Sequence, residues 1–112
     1  MDRVGLRAGA RAFNSQYFHK AHEIWEEIWN DSVGEEKQFV GGLVRIAAGY
    51  LKLAIGQQNG ASKLLKSGCG ILSNVDNLES GLDLSSLIDF SEALLRNFKA
   101  GRKLGDIEYP KI

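Results

Sequence analysis

The chain carries one proline in 112 residues, Pro110, and only two residues follow it. No proline ring therefore interrupts a helix anywhere in residues 1–109. Over the same span, apolar residues recur three and four positions apart, which is the spacing of one helix face. No segment alternates apolar and polar residues for long, as a half-buried strand would. The sequence predicts an all-α protein without strands.

The apolar spacing predicts a compact bundle of about five helices. The third expected helix is apolar on most of its circumference, so we place it at the centre of the bundle. The chain length fits a single helical domain that covers residues 1–112. The expected helices lie near 2–13, from 18 to the loop 30–34, at 35–55, at 59–75 and from 85 to Gly101.

Three of the expected helices have, near their N-terminus, polar residues of the types that cap helices. A serine followed three positions later by a glutamate also fits a capping box. The predicted caps are Asn14 or Ser15 for the second helix, Ser32 with Glu35 for the third, and Asp83 or Ser85 for the fifth.

Five of the 13 glycines fall in the interior of the third and fourth expected helices, where each costs about 0.8–1 kcal/mol relative to alanine. We interpret those of the third helix as sites of close approach by bulky side chains such as Trp25 or Trp29. A break in that helix is the alternative. The five are Gly41, Gly42, Gly49, Gly68 and Gly70.

The charge balance and the single cysteine argue against several classes of protein. Fourteen basic and fourteen acidic residues balance, so the net charge predicts neither nucleic-acid nor membrane binding. The single Cys69 cannot form an internal disulfide, and no apolar run approaches the ~20 residues of a membrane span. These features indicate a soluble cytoplasmic protein. Cys69 is expected to be a buried packing residue.

The densest polar cluster lies on the second expected helix, beside Trp29. Its members are four positions apart in pairs: His19 with Glu23, and His22 with Glu26. Imidazoles and carboxylates are ligand types for zinc, iron or manganese, although the spacing does not match a zinc-protease motif. The favoured interpretation is nevertheless structural: Glu26 orients a half-buried His22 at a helix packing seam. A metal site and acid/base chemistry without metal are the alternatives.

Arg45 lies in the middle of the most apolar helix, where an unpaired guanidinium is costly. Residues 37–75 contain no acid. We therefore expect Arg45 to pair with Glu26 or Glu23 of the preceding helix. An anion site at Arg45 is the alternative.

A short loop joins two motifs, His22-Glu23-x-x-Glu26-x-x-Trp29 and Gly42-Leu43-x-x-x-Ala47-Ala48. Together they resemble the domain-of-unknown-function family 309. The family consists of small all-helical prokaryotic proteins, and the resemblance covers residues 8–75. It implies a helical fold but no reaction. Arg45 stands where glutamine is usual in that family, and Lys52 where some members have histidine.

Together these patterns favour a binding or interaction module with a polar His/Glu site between the second and third helices. Its partner would be a protein or a small ligand. The alternative is a metal-dependent hydrolase in which His22 and Glu26 hold a divalent metal and Glu23 acts as general base. A third hypothesis is nucleic-acid binding through a basic stripe on the first helix, although such a stripe is more typical of a solvated face. The stripe consists of Arg3, Arg7 and Arg11.

Overall fold

The computed structural model describes residues 1–75, 80–101 and 109–112. Within those ranges the chain forms five α-helices and no strand, which confirms the predicted fold class. The helices are α1 (Arg3–Asn14), α2 (Phe18–Asp31), α3 (Gly34–Ala54), α4 (Gln58–Asn74) and α5 (Leu84–Lys99).

The central position predicted for the third helix is confirmed. α3 packs against α2 and against α4, while α1 packs on α2 and α5 packs on α4. One hydrophobic core draws buried side chains from all five helices. α3 ends at Ala54, and Gly56 follows with a φ of 81°, which is accessible to glycine at little cost. No helix in the described ranges is long and apolar enough to cross a membrane.

Trp25 fixes α2 against α1. Its side chain is fully buried, and its indole Nε1 donates a hydrogen bond to the Leu6 carbonyl at 3.2 Å. A Cβ atom on Gly9 would lie only 2.2 Å from that nitrogen, so the indole occupies the space that a side chain at position 9 would need. A glycine of α1 therefore admits Trp25, whereas the sequence predicts a glycine of α3.

The seam between α3 and α4 is made by glycines and leucines. A Cβ on Gly42 would lie 2.8 Å from Leu72, and a Cβ on Gly49 would lie 2.8 Å from Leu65. Gly41 instead faces Trp29, as predicted. The α3 helix runs unbroken through these positions, which excludes the alternative of a break.

Two of the three predicted caps are wrong. Ser15 is the C-terminal cap of α1, and α2 begins after Tyr17 without a side-chain cap. The Ser32 hydroxyl donates to the Ile28 carbonyl of α2 at 2.6 Å. It therefore does not cap α3, which begins after Val33 without a side-chain cap. The Asp83 cap is confirmed, since its carboxylate accepts from the Ser86 amide at 3.1 Å.

The last described residues return to the core. The Tyr109 ring centroid lies 5.0 Å from that of Phe18 and 6.0 Å from that of Tyr50. The Ile112 amide donates to the Asn14 side-chain oxygen at 2.7 Å. Asn14, predicted as a helix cap, therefore anchors residues from the other end of the chain.

Cys69 is buried, as predicted, next to a polar pair formed by Tyr50 and Ser91, whose hydroxyls lie 2.7 Å apart. Burial raises the pKa of the Cys69 thiol to about 11, and a hydrogen bond from Ser91 partly offsets that rise. Because the thiolate is the reactive form, the native thiol should react with a disulfide reagent near pH ~8 about a hundredfold more slowly than the denatured thiol. Rapid stoichiometric labelling without denaturant would contradict this burial.

Candidate functional site

The outer face of α2 carries the polar cluster predicted from the sequence, arranged as two separate pairs. His19 Nε2 lies 2.5 Å from a Glu23 carboxylate oxygen, and both side chains are well exposed. His22 Nδ1 lies 3.5 Å from a Glu26 carboxylate oxygen, and the His22 side chain is 28% exposed. Each pair spans one turn of the same helix.

A metal centre needs more donors than either pair supplies. Across residues 1–75, 80–101 and 109–112, no group of three or more His, Cys, Asp or Glu side chains is placed to hold a metal ion. His22 and Glu26 would need ligands from another source to complete a coordination shell. The metal site and the hydrolase that depends on it stay predictions from the sequence.

Arg45 does not form the ion pair expected for it. It lies on the exposed side of α3 and donates a hydrogen bond from Nη1 to the Ser67 hydroxyl at 3.0 Å. None of the ion pairs among the described residues includes Arg45. The predicted ion pair is wrong because α3 keeps one solvent-facing strip, so the Arg45 guanidinium is hydrated and needs no buried carboxylate.

The structure brings three of the predicted site residues together around an open groove between α2, α3 and α4. We call it the Trp29 groove; it has a volume of about 510 Å³ and extends into a smaller recess of about 220 Å³. Glu26 lines the recess, and Arg45 and Trp29 line both parts. The remaining lining residues are Gly34, Lys37, Gln38, Gly41, Val44, Ile71 and Asn74.

Trp29 forms the wall of this groove. It lies in the last turn of α2, and 37% of its surface is exposed, in contrast to the buried Trp25. A Cβ on Gly41 would lie 3.1 Å from the Trp29 indole nitrogen, so this glycine lets the indole approach the α3 backbone. The Lys37 ammonium lies 4.2 Å from the centroid of the ring, in cation–π contact.

Hydrogen-bond donors dominate the polar groups of the Trp29 groove. Neither Lys37 nor Arg45 forms an ion pair with a carboxylate among the described residues. The Trp29 indole N–H makes no hydrogen bond to any described residue. These groups can donate to a carboxylate or phosphate, whereas Glu26 is the one anionic side chain among the lining residues.

The remaining predicted residues lie outside the groove lining. His22 is one turn before Glu26 on α2, and the exposed His19 and Glu23 form their own pair. Sequence reasoning missed Lys37 and Asn74, which line the groove. A lysine eight positions after Trp29 and across a loop gives no periodic signal, so only the position of α3 against α2 reveals it.

Comparison with known proteins places the amino-acid sequence in a family. Residues 6–64 match the model of a domain of unknown function (DUF309). An uncharacterized protein of Aquifex aeolicus (strain VF5) is 27% identical over 97 residues, which cover 86% of this chain and 29% of the relative. The chain thus spans less than a third of that relative's length. Since the family model matches more than half of the chain, the protein belongs to the DUF309 family.

Proposed function

We propose that this protein is a binding module and that the Trp29 groove is its ligand site. The ligand would combine a planar or apolar group with a carboxylate or phosphate. The observation that carries this proposal is the half-exposed Trp29 indole, set against Gly41 and flanked by the cations Lys37 and Arg45. A planar group can pack on the indole while its anion accepts from the guanidinium.

The size of the groove agrees with this class of ligand. A volume of about 510 Å³ falls within the range of small-molecule sites, about 300–1,000 Å³, and would also take one or two side chains of a protein partner. The Glu26 carboxylate in the recess would accept from an amine or hydroxyl of the same ligand. A cytoplasmic location is part of the proposal and is supported by the single, unpaired cysteine.

Benzoate is the simplest probe of this site because it joins a planar ring to one carboxylate. We expect benzoate to shift the Trp29 indole N–H resonance in a two-dimensional ¹H–¹⁵N NMR spectrum and to leave that of the buried Trp25 unchanged. Benzamide has the same shape without the charge, and it should bind at least about fivefold more weakly because the charge-assisted hydrogen bond is lost.

Two arginine variants make the assignment specific. Arg45→Gln should weaken benzoate binding about fivefold or more. Arg11→Gln, which removes an exposed charge from α1, should leave the affinity unchanged. Equal affinity for benzoate and benzamide, or equal effects of the two variants, would refute an anion site at Arg45.

A further inference from the structure

A second groove lies between α4 and α5 and shares no lining residue with the Trp29 groove. It is formed by residues 58–66 and 92–99 and has a volume of about 560 Å³. We call it the α4–α5 groove. At a rise of 1.5 Å per residue, the α4 wall is about 12 Å long, which corresponds to roughly two helical turns.

Four cations line the α4–α5 groove, two on each wall. Lys63 and Lys66 come from α4, and Arg96 and Lys99 come from α5. All four side chains are exposed, and none of them forms an ion pair with a described residue. Glu92 is the one carboxylate in the lining, so this groove is strongly positive although the whole chain is neutral.

The floor of the groove is apolar. Leu95 and Phe98 line it, and both are partly buried against the hydrophobic core. An apolar floor with a charged, solvated rim is the usual construction of a protein–protein interface. A polar salt or a free phosphate would satisfy the rim but would leave Leu95 and Phe98 in water.

We propose that the α4–α5 groove binds an acidic amphipathic helix of a partner protein. Two turns of that helix would lay apolar side chains on Leu95 and Phe98 and set carboxylates opposite the four cations. Charge complementarity selects this occupant, since unpaired cations stand on both sides of the apolar floor. A nucleic acid fits less well because the Phe98 ring packs on the core and is not free to stack on a base.

A fluorescent peptide of about 14 residues tests the proposal; leucines spaced three and four apart form one face, and glutamates flank them. We expect its fluorescence anisotropy to rise on binding and its affinity to fall as salt is increased. The double variant Lys63→Glu with Arg96→Glu should bind at least about tenfold more weakly, because it replaces one cation on each wall by an anion. Both side chains are exposed, so the fold should survive, which circular dichroism can check.

The matched control is Lys20→Glu with Lys111→Glu, which makes the same change in net charge at exposed sites elsewhere. This control should retain wild-type affinity for the acidic peptide. A peptide with glutamine in place of glutamate should bind weakly. Absence of binding, equal loss in the two double variants, or preference for a single-stranded oligonucleotide over the acidic peptide would overturn the proposal.

Discussion

Replacement of Trp25 by alanine should lower the free energy of unfolding by about 3–5 kcal/mol, as truncation of a buried aromatic side chain does. The indole is fully buried, contacts the Phe13 ring at a centroid distance of 5.9 Å and donates to the Leu6 carbonyl. Gly9 leaves the indole directly against the α1 backbone, so alanine would leave a cavity along the seam between α1 and α2. Urea unfolding followed by circular dichroism measures the loss.

Trp29 on the same helix provides the matched control. Because 37% of its surface is already exposed, Trp29→Ala should cost no more than about 2 kcal/mol. A loss for Trp25→Ala that is no larger than the loss for Trp29→Ala would show that Trp25 does not hold α1 against α2.

The second large effect is expected at the seam between α3 and α4. Gly49→Leu should cost about 1–3 kcal/mol, because its Cβ would lie 2.8 Å from the Leu65 side chain and 3.3 Å from the Leu65 backbone nitrogen. Relief of this clash requires α4 to move as well as a side chain to rotate. The midpoint of urea unfolding should therefore decrease.

Gly70→Leu introduces the same side chain on α4 at a position where a Cβ would meet nothing within 4 Å. Leucine is the better helix former, so this variant should gain about 0.5–1 kcal/mol. A gain at Gly49 similar to that at Gly70 would contradict the close contact between α3 and α4.

The sequence was sufficient to predict the helices and the central place of α3 because each follows from the spacing of apolar residues within one segment. Helix caps were less predictable because several polar residues compete within a few positions. Ser32 illustrates this competition: its hydroxyl donates back to the Ile28 carbonyl of α2 and does not cap α3.

The candidate site was predictable only in part. Glu26 and Trp29 share the face of α2 that borders the groove, and helical spacing alone places them there. The partner of Arg45 was not predictable, since Ser67 is 22 positions away and reaches it only through the packing of α4 on α3. The cations of the α4–α5 groove are visible in the sequence as a pair three positions apart on each helix. That spacing does not predict that the two helices pack against each other.

We propose different roles for the two tryptophans of α2: Trp29 serves ligand binding, whereas Trp25 serves the fold. The most direct measurement is the benzoate dissociation constant of Trp29→Ala, determined by NMR titration of backbone amides in the groove under conditions where circular dichroism shows the variant to be folded. We expect an affinity at least about tenfold weaker than that of the wild type, since the packing surface for the ring is lost. Wild-type affinity in the folded Trp29→Ala variant would contradict it.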